Sequence, residues 1–332
     1  MRRVLLVKLS SLGDVIHAMP VVADLRAAFP EVCIDWVVEP GFAPLVRRVE
    51  GIGEVIECAQ RRWRKRWWTG DVQRERQAFR ARLRQQHYDA VLDLQGLTKS
   101  ALVARQARMA PGGLRYALGN RTDGSGWEAP TRWLADRAVT LEPHLHVVDR
   151  SRRMAAEALG YAVSGPPRFG VVGHMAPPLQ ARTLVFVHGT SRDDKLWPEA
   201  LWIAFGQSLV RRGWRMAMPQ ASDEEAQRAG RIAAGIGPTF CDLWPRMGLD
   251  ALVDQMGRTQ GVVGVDSGLS HLAVALDLPH VQLYNFPTAW RTGPLPEHGH
   301  AHQVCVGGDG IPALEAVEAA WQRVAVACGV VP

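Results

Sequence analysis

The chain has 332 residues, 47% hydrophobic and 22% charged, with a formal net charge of +6. This length suits two domains of roughly 150 residues and supports a sizeable core. The composition excludes a disordered or coiled-coil chain as a whole, and no run approaches the ~18 apolar residues of a membrane span. The opening MRRVLLVKL is interrupted at Lys8 after four apolar residues, too early for the apolar core of a secretion signal. Cys33, Cys58, Cys241, Cys305 and Cys328 are scattered, without CxxC or zinc-ligand spacing. They predict reduced, mostly buried thiols in a cytosolic protein.

In chain order, VLLV (4–7) is a buried strand and LSSLG (9–13) a turn. A helix follows from Asp14 to Phe29, with Pro20 marking a kink or a late start. IDWVV (34–38), VIEC (55–58) and AVLDL (90–94) read as further strands, with a helix over 73–86. Residues 165–182 contain four prolines and little periodicity, and are assigned as a linker. A second series follows: strand TLVFVH (183–188), helix 198–211, strand WRMAM (214–218), helix 222–235, strand GVVGV (261–265), helix 267–276 and strand VQLYN (281–285). Residues 312–328 form an amphipathic helix with Leu314, Val317, Ala320, Trp321 and Val324 on one face. Strands alternating with helices argue parallel sheets covered on both faces. The expected fold is α/β, with two doubly wound, Rossmann-like domains and a cleft between them.

Charge is concentrated. Residues 61–84 hold ten basic residues against Asp71 and Glu75, so the rest of the chain is slightly acidic. The stretch fits either an anionic partner or a solvated helix face. Neither GxGxxG nor GxxxxGK[ST] is present, which removes the usual dehydrogenase and P-loop readings. Three other clusters stand after strands. Lys8-Leu9-Ser10-Ser11-Leu12-Gly13-Asp14 follows the first strand, and Asp14 is either a helix N-cap or a general base. His188-Gly189-Thr190-Ser191-Arg192-Asp193-Asp194-Lys195 opens the second domain, as a diphosphate site or a salt-bridged surface loop. His188 itself reads as a packed histidine. Asp266-Ser267-Gly268-Leu269-Ser270-His271 joins a buried strand to a helix, where free N–H groups receive an anion. Only four lysines occur beside 35 arginines, and Lys8, Lys65, Lys99 and Lys195 all fall in or next to these segments.

At VKLSSLGDVIHAMP (7–20), DWVVEPGFA (35–43), RRWRKRWW (61–68), YDAVLDLQGLTKS (88–100), GTSRDDKLWPE (189–199) and VDSGLSHLAVALDLP (265–279) the sequence resembles the lipopolysaccharide heptosyltransferases. This is glycosyltransferase family 9, with the GT-B architecture, and the likeness is strongest to its type I members. The resemblance implies transfer of L-glycero-D-manno-heptose from ADP-heptose to the inner Kdo of Kdo2–lipid A, with inversion. Asp14 would be the general base. Thr190, Ser191 and Lys195 would contact the diphosphate. Asp266, Ser267, Gly268 and His271 would form the turn beneath diphosphate and heptose. Glu225 would bind the ribose, and Met247 would line the adenine pocket. Lys8, Ser11, Arg61, Arg62, Arg64, Lys65 and Lys99 would bind the acceptor's carboxylates and phosphate. Trp63, Trp67 and Trp68 would face the membrane interface, stack on sugar, or pack under the loop. No metal or cofactor is required.

The expected setting is the cytoplasmic face of the inner membrane, as a monomer or weak oligomer. The expected domains are 1–170 for the acceptor and 183–311 for the donor, with the terminal helix (312–332) packing back on the first. Three positions depart from the family pattern. Ser267 replaces a threonine, Gly189 an alanine, and the loop Tyr284-Asn285-Phe286-Pro287-Thr288 lacks the glycine that usually precedes Pro-Thr. Other readings are a heptosyltransferase for a later, already heptosylated core, a nucleic-acid binder through 61–84, and a non-catalytic nucleotide-sugar binder. No nucleic-acid motif supports the second.

Overall fold

The computed structural model describes residues 1–173, 177–295 and 301–330, and the chain divides into two units at Val172/Gly173. Residues 174–176 of the expected linker and 331–332 of the expected terminal segment lie outside the described residues. The first part of the proline-rich stretch belongs to the first unit: Glu50 donates to the Gly170 carbonyl at 2.8 Å, and Val171 bridges Val49.

The first unit runs β1 (Arg3–Val7), α1 (Leu12–Ala18), α2 (Pro20–Ala28), β2 (Cys33–Val38), α3 (Ala43–Val46), β3 (Ile52–Glu57), α4 (Gln60–Lys65), α5 (Gly70–Leu83), β4 (Tyr88–Asp93), α6 (Thr98–Ala104), β5 (Met109–Leu118), α7 (Thr131–Leu134), β6 (Arg137–Val139) and α8 (Val147–Leu159). Pro20 is the first residue of α2, where its missing N–H and fixed φ cost nothing, so the single expected helix is two. The sheet is parallel throughout, in the order β3-β2-β1-β4-β5-β6. Val4 to Val7 have no exposure, as expected for a strand covered on both faces. Leu5 and Val7 pack with Val72, Phe79 and Leu83 of α5. Helices α1 and α2 pack on α8, where Arg152 makes a bidentate pair with Asp24 at 2.8 and 2.9 Å.

The second unit runs β7 (Thr183–Val187), α9 (Glu199–Val210), β8 (Arg215–Met218), α10 (Asp223–Ile236), β9 (Cys241–Leu243), α11 (Leu249–Gly257), β10 (Gly261–Val265), α12 (Gly268–Ala275), β11 (His280–Tyr284), α13 (Ala289–Thr292), β12 (Gln303–Gly307) and α14 (Leu314–Ala327). Its parallel sheet is ordered β12-β11-β10-β7-β8-β9. In each unit the order reverses beside the first strand, the doubly wound arrangement. The loops after the adjacent central strands there form the crevice where such sheets bind ligands.

The apolar stripe of α14 is buried in the core of the second unit. Val317, Ala320, Trp321 and Val324 belong to the second unit's core with Phe186, Trp202, Phe205 and Ile232. Trp321 meets Trp214 edge-on at 5.4 Å, and its ring lies so close to Gly261 that a Cβ there would stand 2.5 Å from it. An amphipathic stripe declares that a helix is buried, not against what. One expectation is corrected: the cysteines are not mostly buried, since Cys58 is but Cys33 and Cys328 are exposed, one opening β2 and the other following the end of α14. Among the described residues no helix is long and apolar enough to cross a membrane.

Trp321→Ala should therefore destabilise the second unit by about 3–5 kcal/mol. Hydrogen exchange should show protection lost in peptides from 183–307 and kept in peptides from 3–159. Loss confined to the first unit would contradict this placement.

Candidate active site

In the first unit, β1 and β4 are neighbours whose loops open at the same end of the sheet. Lys8 follows β1 and is 2% exposed. Its ammonium donates to the Leu94 carbonyl at 3.1 Å, and its own carbonyl accepts from the Trp36 indole at 3.1 Å. Gln95, just past β4, accepts from the backbone N–H of Leu9 and Ser10 at 3.0 and 3.2 Å. The two loops are thus stitched into one surface. Ser11 is the N-cap of α1 and Asp14 its third residue. Asp14 is therefore not the cap: its Oδ2 receives the Ser11 N–H at 3.0 Å and hydroxyl at 2.7 Å, the reciprocal half of a capping box. That fixes the carboxylate plane and leaves Oδ1 facing the Lys8 ammonium at 3.9 Å.

Electrostatics sharpen this arrangement. Burial works to raise the Asp14 carboxyl, but Lys8, the two Ser11 hydrogen bonds and Arg150 outweigh it and hold it below its ordinary value. Asp14 is an anion at neutral pH. Burial lowers Lys8 to about 8, with Asp14 opposing and Arg150 assisting. Asp93, fully buried at the end of β4, is pushed up by burial to about 6, although Ser100, Gln95 and Gly96 all donate to it. Lys8 and Asp93 are buried and Asp14 stands part-exposed beside them, a concentration of perturbed charges typical of function.

The basic stretch divides. The Arg61 N–H donates to Glu39 Oε1 at 3.1 Å, and burial raises the Glu39 carboxyl while Arg61 and Lys99 pull it down. Arg61 and Lys99 therefore converge on the ends of β2, β3 and β4. Arg62 does not join them, because it pairs with Glu75, which also accepts from the Trp63 indole at 2.8 Å. Arg64 and Lys65 are exposed. Trp63 is buried against Phe79, whereas Trp67 and Trp68 are 63% and 62% exposed.

In the second unit the crevice lies between β7 and β10. Asp266 follows β10 and is buried. Its Oδ2 accepts from the Lys195 ammonium at 2.6 Å, and its Oδ1 faces His271 Nε2 at 3.4 Å. Burial opposes ionisation here too, yet His271 and Lys195 hold the carboxyl well below the usual range. The Thr190 hydroxyl donates to the Asp266 carbonyl at 3.1 Å, tying the loop after β7 to the start of α12. Ser267 is the N-cap of α12 with Gly268 next, but its hydroxyl makes no cap hydrogen bond and is buried without a partner among the described residues. An orphaned hydroxyl at a helix N-terminus is suited to an anionic oxygen. Ser191 is exposed. Arg192 pairs with Asp194, so the surface-loop reading holds for these two residues and not for Lys195.

Glu225 sits in the first turn of α10, after β8, and Ser222 caps its N–H at 3.1 Å. Its carboxylate accepts from Ala221 N–H at 2.6 Å and reaches Gly189, where a Cβ would lie 2.6 Å from Oε1. Met247 is half-buried in the loop between β9 and α11, at the same sheet end. His188 is a core histidine, kept neutral with a pKa of about 4 by burial and then by Arg228. No group of three or more metal-ligating side chains occurs among the described residues.

Sequence reading missed Gln95, Asp93, Glu39 and Arg150. Asp93 had a signal, a carboxylate inside an apolar strand. Arg150 had none.

Lys8→Met should stabilise the fold by about 1–3 kcal/mol at pH 7, because it removes a desolvated charge. Lys8 titrates lower in the folded chain, about 8 against 10.5. The cost of burying its charge is therefore full below pH 8 and fades as pH rises toward 10.5. Denaturation at pH 7 and 10.5 should show the advantage shrinking. An equal advantage at both, or none at pH 7, would contradict the electrostatics.

Residues 76–310 match the model of glycosyltransferase family 9 (heptosyltransferase). The chain is 37% identical to lipopolysaccharide heptosyltransferase 1 of Escherichia coli K12, over 91% of this chain and 93% of that protein. It is 38% identical to lipopolysaccharide heptosyltransferase 1 of Pseudomonas aeruginosa PAO1, over 92% and 84%. Among solved structures, E. coli heptosyltransferase WaaC with ADP superposes with a TM-score of 0.83 and 33% identity, over 97% of this chain and 99% of that one. With two doubly wound parallel sheets in the GT-B manner, the chain belongs to glycosyltransferase family 9, the heptosyltransferases.

Proposed function

We propose that the protein transfers heptose from ADP-heptose to the inner Kdo of Kdo2–lipid A, inverting the anomeric centre, with Asp14 as general base. The enzyme class itself, a lipopolysaccharide heptosyltransferase, follows from the family and the relatives. The observation that carries the finer reading is the fixing of Asp14. One oxygen is saturated by Ser11 and the other faces Lys8 at 3.9 Å, so an anion is held in a single orientation for one proton transfer.

The step balances with one base. The acceptor hydroxyl oxygen bonds to the anomeric carbon from the side opposite the nucleotide. Its proton passes to Asp14 Oδ1, and the bond from the anomeric carbon to the phosphate oxygen breaks. The electron pair leaves with ADP. Positioned base catalysis supplies about 10²–10⁴-fold. The leaving diphosphate is assigned to Lys195, Thr190, Ser191, the Ser267 hydroxyl and the backbone N–H groups opening α12 at Gly268, with Asp266 and His271 orienting the ammonium. Glu225 takes the ribose and Met247 the adenine.

The acceptor's Kdo carboxylates are assigned to Arg61 and Lys99, whose convergence on Glu39 supports this. Lys8 and Ser11 act through Asp14. Arg64 and Lys65 reach lipid A phosphate, while Arg62 serves chiefly to hold α4 on α5 through Glu75. Exposed Trp67 and Trp68, preceded by Arg64, Lys65 and Arg66, support a peripheral position at the cytoplasmic face of the inner membrane. No metal or cofactor enters the scheme, because cationic and backbone donors are assigned to the leaving charge.

The test is incubation with ADP-heptose and Kdo2–lipid A, read by mass spectrometry and by NMR of the new anomeric proton. One added heptose with inverted configuration is expected. Transfer only to an already heptosylated core would replace the acceptor assignment. Retained configuration would remove the single-base mechanism, and ADP-heptose binding without transfer to either acceptor would make the protein a binder.

A further inference from the structure

The loop after β11 departs from the family's pattern, and its first residue makes contacts that the reaction scheme does not use. The Asn285 side-chain nitrogen donates to the Asp194 carbonyl at 2.9 Å and to the Leu196 carbonyl at 3.0 Å. These carbonyls stand on either side of Lys195. A primary amide carries two hydrogens on one nitrogen, each directed at its own acceptor, so one side chain spans the backbone of the one residue between.

The segment it grips is otherwise lightly held. Asp193–Lys195 is a single 3₁₀ turn, closed by Lys195 N–H to the Arg192 carbonyl at 3.1 Å and Leu196 N–H to the Asp193 carbonyl at 3.0 Å. The acid beside the lysine, Asp194, is turned toward Arg192. Asn285 is anchored from its own side: its carbonyl accepts from Gly310 N–H at 3.2 Å, and the Tyr284 carbonyl accepts from Gly308 N–H at 2.8 Å. The backbone of Lys195 is thus fixed from β11 and β12, while its ammonium is fixed from β10 by Asp266.

We propose that Asn285 is a positioning residue for the donor site, setting the Lys195 ammonium against the departing diphosphate by pinning the carbonyls on both sides of that lysine. The inference rests on the reading of Lys195 as a diphosphate contact. Asn285 touches no reacting atom and acts through Lys195. An amide is required, because aspartate at this position would present only acceptors to two carbonyls.

The test is ADP affinity by calorimetry for the full chain, Asn285→Ala, Asn285→Asp, Lys195→Ala and the Lys195→Ala/Asn285→Ala double variant. Asn285→Ala should weaken ADP binding by about tenfold, and Asn285→Asp by more. The KM for the acceptor should be unchanged, which a general loss of structure would not spare. In the Lys195→Ala background, Asn285→Ala should add less than about twofold, because the residue it positions is gone.

A full tenfold loss in that background, or unchanged ADP affinity in Asn285→Ala alone, would overturn the proposal. If Lys195→Ala alone leaves ADP affinity unchanged, the donor-site reading falls and the inference with it. If Lys195→Ala weakens ADP binding but Asn285→Ala does not, only the inference falls. Should Asn285→Asp fail to fold, Asn285→Ala carries the test, since it removes the two donors without adding a repulsion.

Discussion

Each sheet reverses its strand order beside its first strand, and the chemistry of each unit depends on that reversal. In the first unit it brings the loop carrying Lys8, Ser11 and Asp14 beside the loop carrying Leu94 and Gln95, tied by hydrogen bonds from both directions. In the second it brings Thr190 and Lys195 beside Asp266. Parallel strands put all their following loops at one end of the sheet. Residues as far apart in sequence as Glu225, Asp266 and Asn285 therefore collect at one end without a dedicated binding module.

The two crevices handle charge differently. In the second unit Asp266 is buried but answered twice, by Lys195 and by His271, and stays ionised well below the usual range. This is a settled ion cluster that presents a cation. In the first unit Lys8 is buried with its nearest carboxylate oxygen at 3.9 Å, and both Lys8 and Asp93 are driven toward neutrality by desolvation. That arrangement ties two loops through the Leu94 carbonyl at a cost in stability. It makes sense where a carboxylate must stay anionic yet keep one oxygen open. The nearby cation lowers the Asp14 carboxyl without closing a direct hydrogen bond to it.

Much of this is legible in the sequence. β1, β7 and β10 are buried on both faces and appear as unbroken apolar runs, so their positions and the turns after them could be read directly. β6 and β9 are three residues each at sheet edges, and β5 carries Pro111, Gly112 and Gly113 in a register shift. None has a run to recognise. The helix after β1 is legible in the sequence, but its division at Pro20 and the role of Ser11 rather than Asp14 as N-cap depend on local backbone geometry. Gln95 and Asn285 act through loops that only the strand order makes adjacent, so no local pattern announces them. The stripe on α14 is legible as a buried face, but the core it enters is not, because a stripe carries no address.

The proposed reaction divides its labour, with the base on the first unit and the donor's leaving group on the second. The most direct measurement is single-turnover transfer by Asp14→Asn, with ADP affinity measured on the same preparation. Asparagine keeps the size of the side chain and an oxygen for Ser11, and loses the charge. A rate reduced by about 10²–10⁴-fold is expected, with ADP affinity changed less than about twofold. Near-normal turnover would contradict the assignment of Asp14 as base, and a parallel loss of ADP affinity would contradict the division itself.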